Sequence, residues 1–184
     1  MKRPILSTFY KYIAIIIIAL LVVRYIIMNS SVYYKETIML PFSLHLTKQE
    51  IYMVKGEESH LGVYAINKRV TFSSTNFRVV GVNFNGRLYA YNTGMAFIIA
   101  KVGKKELKCR VHVIDISKSK ITIKKGRSYD LDIKGGSEMV SWKSSNKSVV
   151  KVSMFGNVKA VGKGNAVISA KIKGKTLKCS VAVN

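Results

Sequence analysis

VSWKSSNKSVVKVSMFGNVKAVGKGNAVISAKIKGKTLKCSVAV, residues 140–183, decides the fold. Val158 and Ala160 alternate with Asn157 and Lys159. Ala166, Ile168, Ala170 and Ile172 alternate with Asn165, Val167, Ser169 and Lys171, and Leu177, Cys179, Val181 and Val183 alternate with less apolar neighbours. A period of two over five to eight residues puts every second side chain on one buried face, the pattern of a strand. Phe155-Gly156 and Gly162-Lys163-Gly164 punctuate the runs at the spacing of tight turns. Short strands so spaced predict a small all-β sandwich.

Outward from this stretch, the same pattern occurs a second time. Setting Ile51 against Ile121 and holding an offset of 70 aligns IYMVKGEESHLGV with ITIKKGRSYDLDI and KELKCRVHV with KTLKCSVAV without a gap. Identities include Gly56/Gly126, Leu61/Leu131, Asn76/Asn146, Gly86/Gly156, Ala90/Ala160, Ile98/Ile168 and Cys109/Cys179. A self-match of this length makes two copies of one structural unit. Residues 46–114 are expected to form the first, divergent copy and residues 115–184 the second.

The second copy resembles the bacterial Ig-like domains of group 2. The resemblance rests on a Trp-x-Ser-Ser-Asn segment at Trp142–Asn146, Val150-Lys151-Val152, Gly156, an alternating strand, Gly162-Lys163-Gly164 and a closing Val181-Ala182-Val183. In the first copy Phe72 stands for Trp142, Thr75 for Ser145 and Asn92-Thr93-Gly94 for Gly162-Lys163-Gly164, so that copy is carried mainly by the internal repeat. The resemblance implies surface-exposed, stacked sandwiches of the kind found in adhesins, wall-associated proteins and spacers of exported enzymes. A fold of this class hosts many roles, so function has to be argued from its surfaces.

Toward the N-terminus, Lys2, Arg3 and Lys11 precede an apolar run from Tyr12 to Val23 that resumes after Arg24 through Met28. At ~1.5 Å per residue a helix needs about 20 residues to cross a bilayer. Tyr12 to Met28 is therefore expected to be the transmembrane part of a signal anchor, behind a basic cytoplasmic segment at 1–11 and ahead of a stalk at 29–45. A cleaved signal peptide is the competing reading, but Met28, Asn29, Ser30 and Ser31 offer no pair of small residues at cleavage spacing. The positive-inside rule then orients the N-terminus toward the cytoplasm and the sandwiches outward, on the cell surface or in a periplasm.

Composition narrows the function classes. The chain has 184 residues, 48% of them hydrophobic, and carries 31 Lys+Arg against 9 Asp+Glu, a net charge of +22. That hydrophobic share excludes a disordered polycation. Nine dispersed carboxylates and three isolated histidines, His45, His60 and His112, supply no nucleophile with a neighbouring base and no ligand set, so neither catalysis nor a cofactor or metal is expected. Asp130 and Asp132 share a phase of one strand, but no third carboxylate lies in the segment, and solvated or ion-paired side chains are the expected reading. Cys109 and Cys179 occupy equivalent positions of successive copies, too far apart for a disulfide, and with Phe72 and Trp142 are expected in the cores.

Two candidate surfaces remain. Residues 115–184 carry fifteen basic against four acidic side chains, and residues 45–114 eleven against four. Lys143, Lys159, Lys163, Lys171, Lys173 and Lys175, on outward phases or turns, are the candidate contacts to an anionic cell-wall polymer or lipid headgroups. Nucleic acid is disfavoured as a partner of an external chain. A solvated face that protects sheet edges is the alternative. In the first copy Tyr89, Tyr91, Phe97 and Ile99 replace Lys159, Val161, Val167 and Ser169. With Asn92-Thr93-Gly94 read as a hairpin turn, the four would form one cross-strand patch for an envelope protein or a second copy, unless the membrane interface or the stalk covers it.

Overall fold

The computed structural model describes residues 12–22, 44–65, 69–136 and 138–184, and the chain divides into two units, Met1–Ser43 and Leu44–Asn184. In the first unit residues 12–22 are helical, with Tyr12, Ile13, Ile15, Ile16, Ile17, Ile18, Leu20, Leu21 and Val22 exposed. No helix among the described residues is long and apolar enough to cross a membrane. The expected span Tyr12 to Met28 is thus seen only over its first eleven residues as an apolar helix. Residues 23–28, the basic segment 1–11 and all but the last two residues of the expected stalk lie outside the described residues.

The second unit is all-β. The first copy contributes β1 (His45–Leu46), β2 (Glu50–Val54), β3 (Glu58–His60), β4 (Val63–Tyr64), β5 (Val70–Ser74), β6 (Val80–Val82), β7 (Arg87–Ala90), β8 (Gly94–Val102) and β9 (Lys105–Ile116). The second contributes β10 (Lys120–Ile123), β11 (Ser128–Asp130), β12 (Ile133–Lys134), β13 (Ser141–Ser144), β14 (Val150–Val152), β15 (Asn157–Ala160), β16 (Gly164–Ile172) and β17 (Lys175–Val183). In the first copy β2-β9-β8-β5 face β3-β7-β6, and in the second β10-β17-β16-β13 face β11-β15-β14. The offset of 70 therefore maps strand onto strand and register onto register, including the parallel pairs Glu50↔Arg110 and Lys120↔Ser180.

Alternation explains the cores. Ala166, Ile168, Ala170 and Ile172 of β16 and Leu177, Cys179, Val181 and Val183 of β17 are all buried, as are Ala96, Ile98, Cys109, Val111 and Val113 in the first copy. Cys109 and Cys179 are free and fully buried. Phe72 and Trp142 are half-buried and pack against their respective cores, as expected of structural residues. Each lies over a glycine with positive φ, Gly86 at +79° and Gly156 at +84°; a Cβ there would stand 3.0 Å from the ring and 2.2–2.3 Å from a backbone carbonyl. The Ser-x-Asn segments form the same turn twice. Asn76 N and Asn146 N donate to Ser74 Oγ and Ser144 Oγ, while Asn76 Oδ1 and Asn146 Oδ1 accept from Arg78 N and Ser148 N.

No connecting segment separates the copies. β9 runs on past the first copy, and its last residues pair with β12 through Ile133↔Ile116 and Lys134↔Asp115, in the place that β1 takes beside β4. Ile114 and Ile116 belong to the second core, and Tyr52 and Val54 of the first copy pack against it.

Candidate functional site

The joint between the copies uses side chains that differ between them. Tyr52 Oη donates to Glu138 Oε1 at 2.9 Å, Lys173 Nζ lies 3.7 Å from Glu138 Oε2 and 5.9 Å from the centre of the Tyr52 ring, and Lys175 pairs with Glu57. Glu57 Oε2 also accepts from Val54 N at 2.7 Å. Burial first, then the bond to Glu138 and the charges of Glu50 and Glu138, push the Tyr52 phenol up to about 12. Gly135, with φ +79°, lets the backbones close up: a Cβ there would fall 2.1 Å from Val113 O and 2.8 Å from Gly94 N. At the offset of 70, Glu57 answers to Arg127, Glu138 to Lys68, Tyr52 to Thr122 and Gly135 to Ala65. These substitutions are the sequence signal of the joint, and a search for identities alone passes over them.

The six lysines expected to hold a polyanion fall in three places. Lys173 and Lys175 belong to the joint, where each faces a carboxylate, so their positive charge is already partnered. Lys143 and Lys171 are exposed on the outer face of the four-stranded sheet, Lys143 opposite Ser169 and Lys171 between Ser141 and Thr176. Lys159 is exposed on the opposite face, and Lys163 is exposed in the turn after it. Lys159 stands directly across from Lys151, a side chain outside the expected set, and Lys147 is exposed in the turn before β14. Two like charges at directly opposed positions of an antiparallel pair oppose each other rather than support the sheet.

The four-residue aromatic patch does not form as expected. β7 pairs with β3 and β6, whereas β8 pairs with β9 and β5, so Asn92-Thr93-Gly94 carries the chain from one sheet to the other instead of closing a hairpin. The inward residues explain it. Leu88 and Ala90 fill the core from one side and Ala96, Ile98 and Ala100 line the other sheet's inner face, so the outward side chains of the two strands point to opposite sides of the sandwich. Tyr89 and Tyr91 stack at 6.4 Å with an interplanar angle of 8°. Phe97 lies on the far sheet beneath the Arg110 guanidinium, 5.7 Å from its ring centre, and Ile99 is opposite Lys108.

The remaining candidates are accounted for locally. Asp130 Oδ1 accepts from Asn157 Nδ2 of the paired strand β15 at 2.6 Å, and Asp132 Oδ1 from the adjacent Ile133 N at 2.8 Å. His60 Nε2 lies 2.9 Å from Asn85 O, and His112 stacks on Tyr52 at 4.6 Å with Nε2 3.2 Å from Glu50 Oε1. Burial pushes the Cys109 thiol up to about 11 and raises that of Cys179, the opposite of what a nucleophile requires. The second copy also has an open groove of about 930 Å³ lined by Trp142, Val152 and the exposed Met139, Met154 and Phe155.

Comparison with known proteins gives a family model, a partial relative and structural likenesses that extend over both copies. A kappa-carrageenase of Pseudoalteromonas carrageenovora is 38% identical over 81 residues, covering 40% of this chain and 20% of that enzyme. The C-terminal 282-residue fragment of intimin, solved in complex with the intimin-binding domain of the translocated intimin receptor, aligns with a TM-score of 0.46 and 17% identity, covering 76% of this chain and 62% of that one. Domains 4 and 5 of the S-layer protein SbsC align with a TM-score of 0.31 and 20% identity over 77% of this chain and 97% of theirs. This chain thus spans about a fifth of the carrageenase and less than two thirds of the intimin fragment. The family model that describes the bacterial Ig-like domain (group 2) matches residues 110–183, the end of β9 and the second copy.

Proposed function

We propose that this protein is a non-enzymatic, membrane-anchored cell-surface module whose basic Ig-like copies hold an anionic polymer of the cell envelope. One observation carries the reading. Lys151 and Lys159 face each other across the outer side of β14 and β15, with Lys147 in the adjoining turn, and among the described residues no carboxylate is paired with them. Such an arrangement weakens the sheet in isolation and is relieved by a bound polyanion, whose phosphates or carboxylates neutralise both charges at once. The net charge of +22 adds long-range attraction to any anionic surface. An apolar helix at 12–22 with side chains exposed all round, preceded in the sequence by Lys2, Arg3 and Lys11, supports the anchor and its orientation.

The test is retention of the full chain on purified cell-wall polymer. Wild-type protein is expected to bind at low salt and to be released as the Debye length shrinks from ~10 Å at 0.1 M to ~3 Å at 1 M. Lys151→Glu with Lys159→Glu, which keeps two like charges opposed but reverses their sign, is expected to abolish most of the retention with the melting temperature unchanged, whereas Lys173→Ser leaves retention intact. Retention that survives the double reversal would assign these lysines to solubility and edge protection alone.

A further inference from the structure

The two copies differ most sharply along one open edge. β5 pairs only with β8 and β6 only with β7, as β13 pairs only with β16 and β14 only with β15, so in each copy two adjoining strands end their sheets. Beside that edge the second copy carries Lys143, Lys147, Lys151 and Lys159; the first has Ser73, Phe77, Gly81 and Tyr89 at the same offsets. Lysines on an edge keep it from pairing with another chain. The first copy has lost all four. The space is filled by Tyr91, whose ring lies over Gly81, where a Cβ would stand 2.7 Å from its Cε2; an open groove of about 420 Å³ runs from this ring to Phe72 and Ser74 of β5.

The edge also has its backbone groups aligned for pairing. Thr75 N donates to Phe97 O at 2.9 Å, and the same register continues through Ser73↔Ile99 and Thr71↔Lys101. Because hydrogen-bonded and non-bonded pairs alternate in an antiparallel ladder, the N–H and C=O groups of Val70, Phe72 and Ser74 point away from β8. We propose that β5 is a self-association edge, where a second copy of this chain pairs its own β5 antiparallel about a two-fold axis through Phe72. That register puts Val70 opposite Ser74 and joins all three outward-pointing residues of each chain. On the outer face it sets Thr71 opposite Ser73, both neutral and exposed in the monomer, a favourable cross-strand pair. A two-fold contact must be complementary to itself, and a strand without charge satisfies this where one carrying Lys143 does not. In a chain of +22 copies repel one another, and β5 itself adds no charge to a seam flanked by Arg69, Arg78 and Lys101. The proposal is independent of polyanion binding, which uses the opposite copy.

Sedimentation of the full chain in mild detergent over a concentration series tests it. A reversible dimer is expected, weakened at least about tenfold by Ser73→Lys, which puts two added charges at the seam. The second copy carries lysine at the equivalent position, so the variant keeps its fold, and an unchanged melting temperature verifies this. Mixing Thr71→Cys chains with Ser73→Cys chains under oxidation is expected to yield a disulfide-linked heterodimer, since opposed non-bonded residues approach to ~4.5 Å between Cα atoms. A wild-type chain that stays monomeric throughout, or a dimer that Ser73→Lys leaves unchanged and that does not cross-link, overturns the proposal.

Discussion

A lysine on an outward strand position changes its meaning with the residue across from it. Lys175 faces Glu57 and Lys173 faces Glu138, whereas Lys159 faces Lys151. The first two therefore stabilise a joint, by about 1 kcal/mol or less each as partly exposed pairs, while the third is held beside its own charge. A glycine is read in the same way. Gly135 leaves no room for a Cβ beside Val113 O and has positive φ, so Gly135→Ala is expected to cost about 2 kcal/mol or more in a thermal or denaturant melt. Trp142→Ala, which removes a half-buried ring packed on the second core and on Gly156, is expected to cost about 3 kcal/mol in the same measurement. If Gly135→Ala melts like wild type, the backbones at the joint are not in contact in solution.

The joint is built at the level of elements, from β9 running on into the second sandwich and from β2 packing its Tyr52 and Val54 against the second core. Glu57→Arg with Glu138→Lys gives each position the residue its counterpart carries; the expected result is faster amide exchange and protease cutting around 113–117 with little change within either sandwich. Alkaline pH has a defined effect. The Tyr52 phenol is pushed from 10 up to about 12 in the folded chain, so the stabilisation it supplies is complete below pH 10 and is lost as the pH rises through about 12. Tyr52→Phe is expected to flatten the fall in melting temperature over that window, and equal slopes for the two proteins would count against the bond to Glu138. Strands and cores were legible in the sequence because burial of alternate residues imposes a period of two, and because a repeat of 70 residues gives every strand a second reading. The partner of each strand was less legible. Asn92-Thr93-Gly94 is short enough for a hairpin, and local spacing does not tell a turn within a sheet from a crossing between sheets; only the demand that Leu88 and Ile98 fill one core from two sides does. That Lys173 and Lys175 meet carboxylates was not legible for a related reason: period two shows that a side chain points outward, not that another copy of the unit lies there.

On the scale of the whole molecule, one basic sandwich follows another through a joint with no connecting segment, with Lys143, Lys147, Lys151 and Lys159 beside the open edge of the second copy and uncharged residues at those four positions in the first. Lys151 stands directly opposite Lys159, a like-charge pair that a bound anion would relieve, so the proposed function links binding to stability. An anionic polymer that binds the folded chain is expected to raise the melting temperature of the wild type, and to do so less at high salt. The most direct measurement is the affinity of the full chain for a purified polyanionic wall polymer as a function of salt, compared with the Lys151→Ser, Lys159→Ser variant. Polyanion binding predicts wild-type affinity that falls steeply as salt rises and a variant that binds more weakly with a shallower salt dependence, its fold as stable as before or more so. Equal affinities and equal salt slopes for the two proteins would contradict it.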